Sequence, residues 1–241
     1  MSGKPTSQQT DQHAAGASPD MARAGGAFPE KLLAGYTAFR GDRLPQDRAI
    51  YQDLAENGQR PETMIICCCD SRSAPEAIFS AGPGDLFVVR NVANLVPPHE
   101  KGADCDGVSA AIEFALLGLG IKHIVVMGHG SCGGIAAFRQ KMTGQAGEPL
   151  SAGNFVGKWT LLLEPVGQAL QCTGAETAQE LQRKLEEQAI RQSVENLTRF
   201  PFITPMLESG EVTVHGAWFD IASGDLWTMN ESSLEFEQPG G

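Results

Sequence analysis

The stretch Met64–Arg72, reading MIICCCDSR, constrains this chain more than any other: an apolar run stops abruptly at three cysteines, an aspartate and an arginine. A run of this kind is a strand buried on both faces, and its end delivers thiol, carboxylate and guanidinium to one point. A second apolar run, His123–Met127, ends in GHGSCGG over residues 128–134 and adds an imidazole and a thiol. In an open α/β sheet both endings lie at the carboxyl ends of the strands, where sites form. Cys68, His129 and Cys132 then offer two thiolates and one imidazole, the ligand set of a tetrahedral zinc with a fourth position free for water. Water so placed ionises near neutral pH and becomes a strong nucleophile.

The remaining pattern supports that sheet. Pro75–Phe79 reads as one helical turn closed by Gly82-Pro83-Gly84, Leu86–Val89 as a second buried strand, and Asp106–Leu119 as a helix with Val108, Ile112, Leu116 and Leu119 on one face. Strand His123–Met127 and a helix over Gly134–Lys141 follow, so the connections predict a mainly parallel sheet flanked by helices. Helices are expected over 155–170 and 176–200, the second with mixed charges outward, and another opens at Pro201 and closes at Gly210. Val212, Val214 and Trp218 alternate in a strand that Ser223-Gly224-Asp225 turns back into Leu226–Met229, an antiparallel edge hairpin.

Upstream, Leu32, Leu33, Tyr36 and Phe39 share a helical face with Gly41 as the stop, and a second helix runs from Pro45 to Asn57-Gly58, burying Ile50 and Leu54. The division expected is a disordered tail over 1–26, a helical arm over 27–58, an α/β domain carrying the site over 59–230, and a C-terminal tail over 231–241. The arm precedes the first strand, so it lies on another part of the molecule or on a partner subunit.

Of 241 residues, 18 are basic and 29 acidic, and the net charge of -11 disfavours nucleic acid and anionic membranes. The sequence offers no apolar stretch near the ~20 residues that cross a bilayer and no N-terminal export signal, which points to the cytoplasm. Six cysteines, three of them consecutive, make a poor disulfide framework in a chain of this size. Gly128, Gly130 and Gly133 spell G-x-G-x-x-G between strand and helix, a superficial dinucleotide fingerprint. It lacks an acidic residue at the tip of a following strand about 20 positions on, and it leaves His129 and Cys132 unexplained.

Cys68-Cys69-Asp70-Ser71-Arg72 together with His129-Gly130-Ser131-Cys132 resembles the zinc site of the β-class carbonic anhydrases. The resemblance extends to PGDLFVVRNVANLVPP at 83–98, GVSAAIEFA at 107–115, NLTRFPF at 196–202 and VTVHGAWFD at 212–220, and it covers about residues 29–230. It implies a homodimer, with a tetramer or an octamer equally open. It also implies Zn2+ on Cys68, His129 and Cys132, and a zinc-held hydroxide that attacks CO2 to give bicarbonate. Asp70 and Arg72 are similar to the family's catalytic dyad, in which the arginine fixes a carboxylate that accepts a hydrogen bond from the zinc-held oxygen. If that pair breaks, Asp70 can become the fourth ligand and close the site. Gln59 falls where plant-type members carry a substrate-binding glutamine supplied across the subunit boundary. Phe87, Val92, Phe114 and Gly133 are the remaining implied substrate contacts.

Departures from the family pattern carry expectations of their own. Members inhibited by bicarbonate at a separate pocket have a tryptophan where this chain has Ile65, although Arg90 matches that pocket's arginine. The tyrosines, Tyr36 and Tyr51, lie far upstream, so the open site is expected. Plant-type members place a proton-carrying tyrosine and histidine where this chain has Phe114 and Gly118, which predicts turnover limited by proton export. Cys67, Cys69, Cys105 and Cys172 read as packing or adventitious thiols, and His99, His123 and His215 as structural. Two other functions stay open: hydrolysis of CS2 or COS on the same metal, and a non-catalytic, bicarbonate-responsive scaffold whose N-terminal tail binds a partner.

Overall fold

A computed structural model describes residues 26–100, 107–170 and 176–239. The expected tail over 1–26, apart from Gly26, and both Cys105 and Cys172 lie outside the described residues. The chain divides into two compact units, Met1–Ala49 and Ile50–Gly241.

The described part of the first unit is helical. Helix α1 (Glu30–Ala38) passes through a π-helical turn, Phe39–Arg43, into α2 (Leu44–Asn57). Gly41 therefore does not stop the first helix, because the wider turn absorbs it without a break. The apolar face of α1 is not buried, with Leu32 at 58% and Tyr36 at 57% exposure. Farther along α2, Ile50 stays exposed, against expectation, while Leu54 is half-buried.

The second unit is built on β1 (Thr63–Cys68), α3 (Pro75–Ile78), β2 (Leu86–Asn91), α4 (Gly107–Glu113), β3 (His123–His129) and α5 (Gly133–Met142). Helices α6 (Phe155–Thr160), α7 (Glu164–Ala169), α8 (Ala178–Thr198) and α9 (Ile203–Ser209) follow, then strands β4 (Thr213–Phe219), β5 (Leu226–Met229) and β6 (Phe236–Glu237). The strand order is β2-β1-β3-β4-β5-β6. The first four strands are mutually parallel and the last two antiparallel. Leucine-, isoleucine- and valine-rich strands with helical crossovers take this form because a central strand must bury both faces. The segment expected to be a C-terminal tail contributes β6, whose Phe236 pairs with Met229.

Several helices depart from a plain α-helical reading. The helix expected over 106–119 becomes α4 followed by a π-turn, Phe114–Gly118, which leaves Phe114 and Leu117 exposed at 53% and 60%. The stretch expected as one helix over 155–170 tightens to a 3-10 turn at Leu161–Leu163 between α6 and α7. Pro165 explains this, since its ring crowds the carbonyl four residues earlier and it has no N–H to give. Helix α8 begins at Ala178, where Thr177 and Glu180 form a reciprocal capping box.

Period-two alternation sends the consecutive cysteines to different places. Met64, Ile66 and Cys68 face one side of the sheet with the α4, α5 and α8 helices, whereas Ile65 and Cys67 join Met127 and Ala217 on the other. Ile190 of α8 is fully buried and closes onto two glycines of adjacent strands: a Cβ on Gly128 would meet it at 2.8 Å and one on Gly216 at 3.0 Å. These contacts set how closely α8 lies on the sheet beside the strand ends. Ile190→Ala is expected to cost about 2–5 kcal/mol, measured as a lowered urea midpoint with an unchanged slope.

Candidate metal centre

The register brings the two strand endings side by side. Cys67 of β1 pairs with Met127 of β3, so Cys68 and His129 emerge at the same end of neighbouring strands. Beyond Cys68 the chain turns sharply, with Ser73 N donating to Asp70 O at 3.1 Å. Beyond His129 it passes through Ser131 in the left-handed region (φ 56) to Cys132, the N-cap of α5. The sulfurs of Cys68 and Cys132 lie 3.9 Å apart. With a ring nitrogen of His129 they form a buried group whose ligand atoms all fall within 4.8 Å of one another.

Hydrogen bonding leaves these atoms ready for a cation. His129 is 1% exposed, and its Nδ1 lies 2.9 Å from Gly130 O. A carbonyl only accepts, so Nδ1 carries the proton and Nε2 keeps its lone pair. That Nε2 is buried without a hydrogen-bond partner. The Cys68 thiol is drawn down to about 4, first by the Cys132 thiol and then, against burial, by His129 and the Ala93 and Asp70 amides. The same contact and burial push Cys132 up. Burial alone would lower His129, but Cys68, Gly130 and Asp70 together hold it above its ordinary value. All three groups therefore call for positive charge at one point, and two sulfurs with one imidazole nitrogen suit zinc.

Asp70 and Arg72 are brought together as a fork. Arg72 Nε donates to Asp70 Oδ1 at 2.9 Å and Nη2 to Oδ2 at 2.7 Å, while the Arg72 amide adds a bond to Oδ1 at 3.0 Å. This grip holds the carboxyl well below the usual carboxylate range. Oδ2 lies 3.9 Å from His129 Nε2, so the carboxylate borders the ligand group. Arg72 Nη2 also donates to Ser131 O at 3.3 Å, tying one ligand turn to the other.

Two supporting residues were not singled out from the sequence as holding this site. Arg90 donates from Nε to Cys68 O at 2.9 Å and from Nη2 to Asp70 O at 2.6 Å, so its guanidinium clamps the main chain of the first turn. Glu186 is 2% exposed, although mixed charges on its helix were expected to face outward. Its carboxylate accepts from Cys132 N at 2.9 Å, Gln182 Nε2 at 2.8 Å and Trp218 Nε1 at 3.1 Å. The available signal was helical spacing, because Glu186 shares a face with the buried Ile190 and Ser193.

The expected substrate contacts are not gathered by a single chain. Val92 packs in the cluster that contains Cys68 and Cys132, and Gly133 opens α5 next to Cys132. Phe87 packs instead against the neighbouring cluster, with its ring 6.1 Å from the exposed Phe114. Gln59 is exposed. Ile65 is buried on the opposite face of the sheet. Cys67 is also there, pushed up to about 12 chiefly by burial, which makes it an inert thiol. His123 and His215 share Thr213 Oγ1, at 2.8 and 2.7 Å, near the other end of the sheet. The glycine fingerprint is used for packing: a Cβ on Gly130 would meet Trp218 at 3.0 Å, just as Gly128 is closed by Ile190.

Comparison with known proteins agrees with this arrangement. The sequence profile of a family described as carbonic anhydrase matches residues 63–226. Beta carbonic anhydrase 5, chloroplastic, of Arabidopsis thaliana is 30% identical over 209 residues, which cover 86% of this chain and 67% of the relative. The solved structure of the β-carbonic anhydrase CcaA is similar with a TM-score of 0.80 at 29% identity, covering 88% of this chain and 92% of that one. A structure from a report on two tetrameric β-carbonic anhydrases of the filamentous ascomycete Sordaria macrospora matches with a TM-score of 0.71 at 29% identity, covering 83% and 96%.

Proposed function

Because this chain belongs to the β-carbonic anhydrase family, we infer that its buried Cys68, His129 and Cys132 hold the zinc with which it hydrates CO2 reversibly to bicarbonate and a proton. The observation that carries the ligand assignment is the partnerless, buried Nε2 of His129 beside two sulfurs 3.9 Å apart. When bound, zinc supplies a Lewis acid that makes hydroxide available near neutral pH. Asp70, kept ionised and fixed in orientation by Arg72, acts as an acceptor that turns the attacking oxygen's lone pair toward CO2. Its bidentate hold favours catalysis over a scaffold role, since a merely structural zinc needs no oriented carboxylate at its edge. The same hold supports the open form, with Asp70 engaged by Arg72 and not by the metal.

The wall around the substrate is assigned to a homodimer. Val92 and Gly133 stand beside the ligands, whereas Phe114 and Gln59 are exposed, which supports their completing the site across a subunit boundary. Among the described residues no helix is long and apolar enough to cross a membrane. Free thiols at Cys67, Cys68, Cys69 and Cys132 suit a reducing compartment, and the cytoplasm is the location proposed. Cell fractionation that recovers the protein elsewhere would contradict that assignment.

Metal reconstitution tests the function. Protein stripped by a chelator should be inactive and regain CO2 hydration in proportion to added zinc, saturating at one ion per chain. Full zinc binding without hydration, or with sulfide release from COS or CS2, would overturn the reading. The exposed Phe114 and the side-chain-less Gly118 offer no group that can carry a proton away. Turnover is therefore expected to rise with buffer concentration at fixed pH, and a rate independent of buffer would place a proton carrier elsewhere.

A further inference from the structure

Ala93 (φ 67, ψ 25) and Asn94 (φ 49) follow one another in the left-handed region, directly after β2 and beside the metal ligands. Side chains with a Cβ avoid this geometry, and it persists only where the surroundings hold it. Several contacts do so. Asn91 bridges the turn, accepting from Leu95 N and donating to Leu95 O, both at 2.9 Å. Gly134 lets α5 lie against it, since a Cβ there would come within 2.7 Å of Val92 Cγ1 and 3.0 Å of Ala93 Cβ. Trp159, on α6, donates its indole Nε1–H to Val92 O at 2.7 Å. On the other side of that same peptide bond, Ala93 N–H donates to Cys68 Sγ at 3.4 Å.

A trans peptide is planar, with its C=O and N–H pointing in opposite directions, so whatever fixes the oxygen also aims the hydrogen. We propose that Trp159 is a positioning residue of the metal centre: by holding the Val92 carbonyl it directs the Ala93 N–H onto the Cys68 sulfur and so limits the charge this thiolate gives to the metal. The inference rests on the zinc reading above. A donor on the carbonyl also polarises the N–H at the far end of the peptide, which strengthens its bond to sulfur. Without the indole N–H, strain at Ala93 favours rotation of the plane, and the sulfur loses its donor. Cys68 then becomes a more basic thiolate, the metal a weaker Lewis acid, and hydration moves to higher pH. Trp159 touches none of the reacting atoms in this account.

The test is Trp159→Phe, which keeps an aromatic ring and removes the donor. In cobalt-substituted protein the sulfur-to-metal charge-transfer band should move to longer wavelength. The midpoint of the pH–rate profile should rise with it. Leu162→Ala, a packing change on the same segment, should lower thermal stability and leave the band in place. Adding Ala93→Gly to Trp159→Phe should return the band toward wild type, because glycine accepts the left-handed geometry without strain. A wild-type band in Trp159→Phe, or an equal band shift in Leu162→Ala, would overturn the proposal. A wild-type chain that takes up neither zinc nor cobalt would overturn the metal reading itself, an outcome seen before any variant is made.

Discussion

His129→Ala is expected to abolish stoichiometric zinc binding and to lower CO2 hydration by at least ~10³-fold, since the site then lacks both a ligand and the means to make hydroxide at neutral pH. The residue is 1% exposed, and its Nδ1–H is spent on Gly130 O, so Nε2 is the one face it can offer a metal. Removing it leaves two sulfurs 3.9 Å apart, one ligand short of the three that a zinc with an open position takes from protein. Zinc takes its sulfur ligands as thiolates, and Cys132 is pushed up by its contact with Cys68 and by burial, so zinc affinity should weaken as pH falls. Cys67→Ser is the matched control. It alters an adjacent thiol on the opposite face of β1 and should leave zinc content and hydration unchanged. Metal analysis of both purified variants separates the outcomes, and full zinc occupancy in His129→Ala would remove His129 from the ligand set.

Arg72→Ala is expected to lower hydration at neutral pH by about 10–100-fold while zinc stays bound, because the loss is of orientation and not of a ligand. The carboxylate it releases has lost its fork and can swing toward the metal, so residual activity should appear at more alkaline pH. Arg72→Lys should recover little of the loss, since an ammonium is a point charge and cannot reproduce two parallel bonds to one carboxylate. The pair also leaves a signature in stability. Asp70's folded value is depressed, so its contribution is complete above the ordinary carboxylate value near ~4 and is lost as pH falls through the folded value. Urea unfolding of wild type should therefore lose stability with acid more steeply than Arg72→Ala does. Parallel curves for the two proteins would contradict the tie.

What the sequence disclosed and what it withheld divide along physical lines. Cys68, His129, Cys132 and the Asp70–Arg72 pair were legible because their chemistry is carried by residue type and by position at the end of an apolar run. Parallel strands with short helical crossovers were legible for a similar reason, since burial of both faces leaves unbroken apolar stretches. Arg90 and Glu186 were hidden because they act through backbone groups of distant segments, Cys68 O, Asp70 O and Cys132 N, and a main-chain partner has no sequence signature. The strained turn at Ala93 was hidden for the opposite reason, since alanine gives no warning of a left-handed backbone. Gly41 misled as a stop because a π-turn can absorb a glycine without breaking a helix. Phe114 was anticipated as a pocket wall, yet it stands more than half exposed at the start of a π-turn, a change of helix geometry that its apolar neighbours do not announce.

The central claim is that a Cys–His–Cys zinc works beside a carboxylate that stays with its arginine. Stopped-flow CO2 hydration on zinc-quantified protein, followed from below neutral pH into the alkaline range, tests it most directly. Zinc-dependent hydration already present near neutral pH is the predicted result. Hydration that appears only at alkaline pH would contradict it, since it would mean that Asp70 leaves Arg72 for the metal.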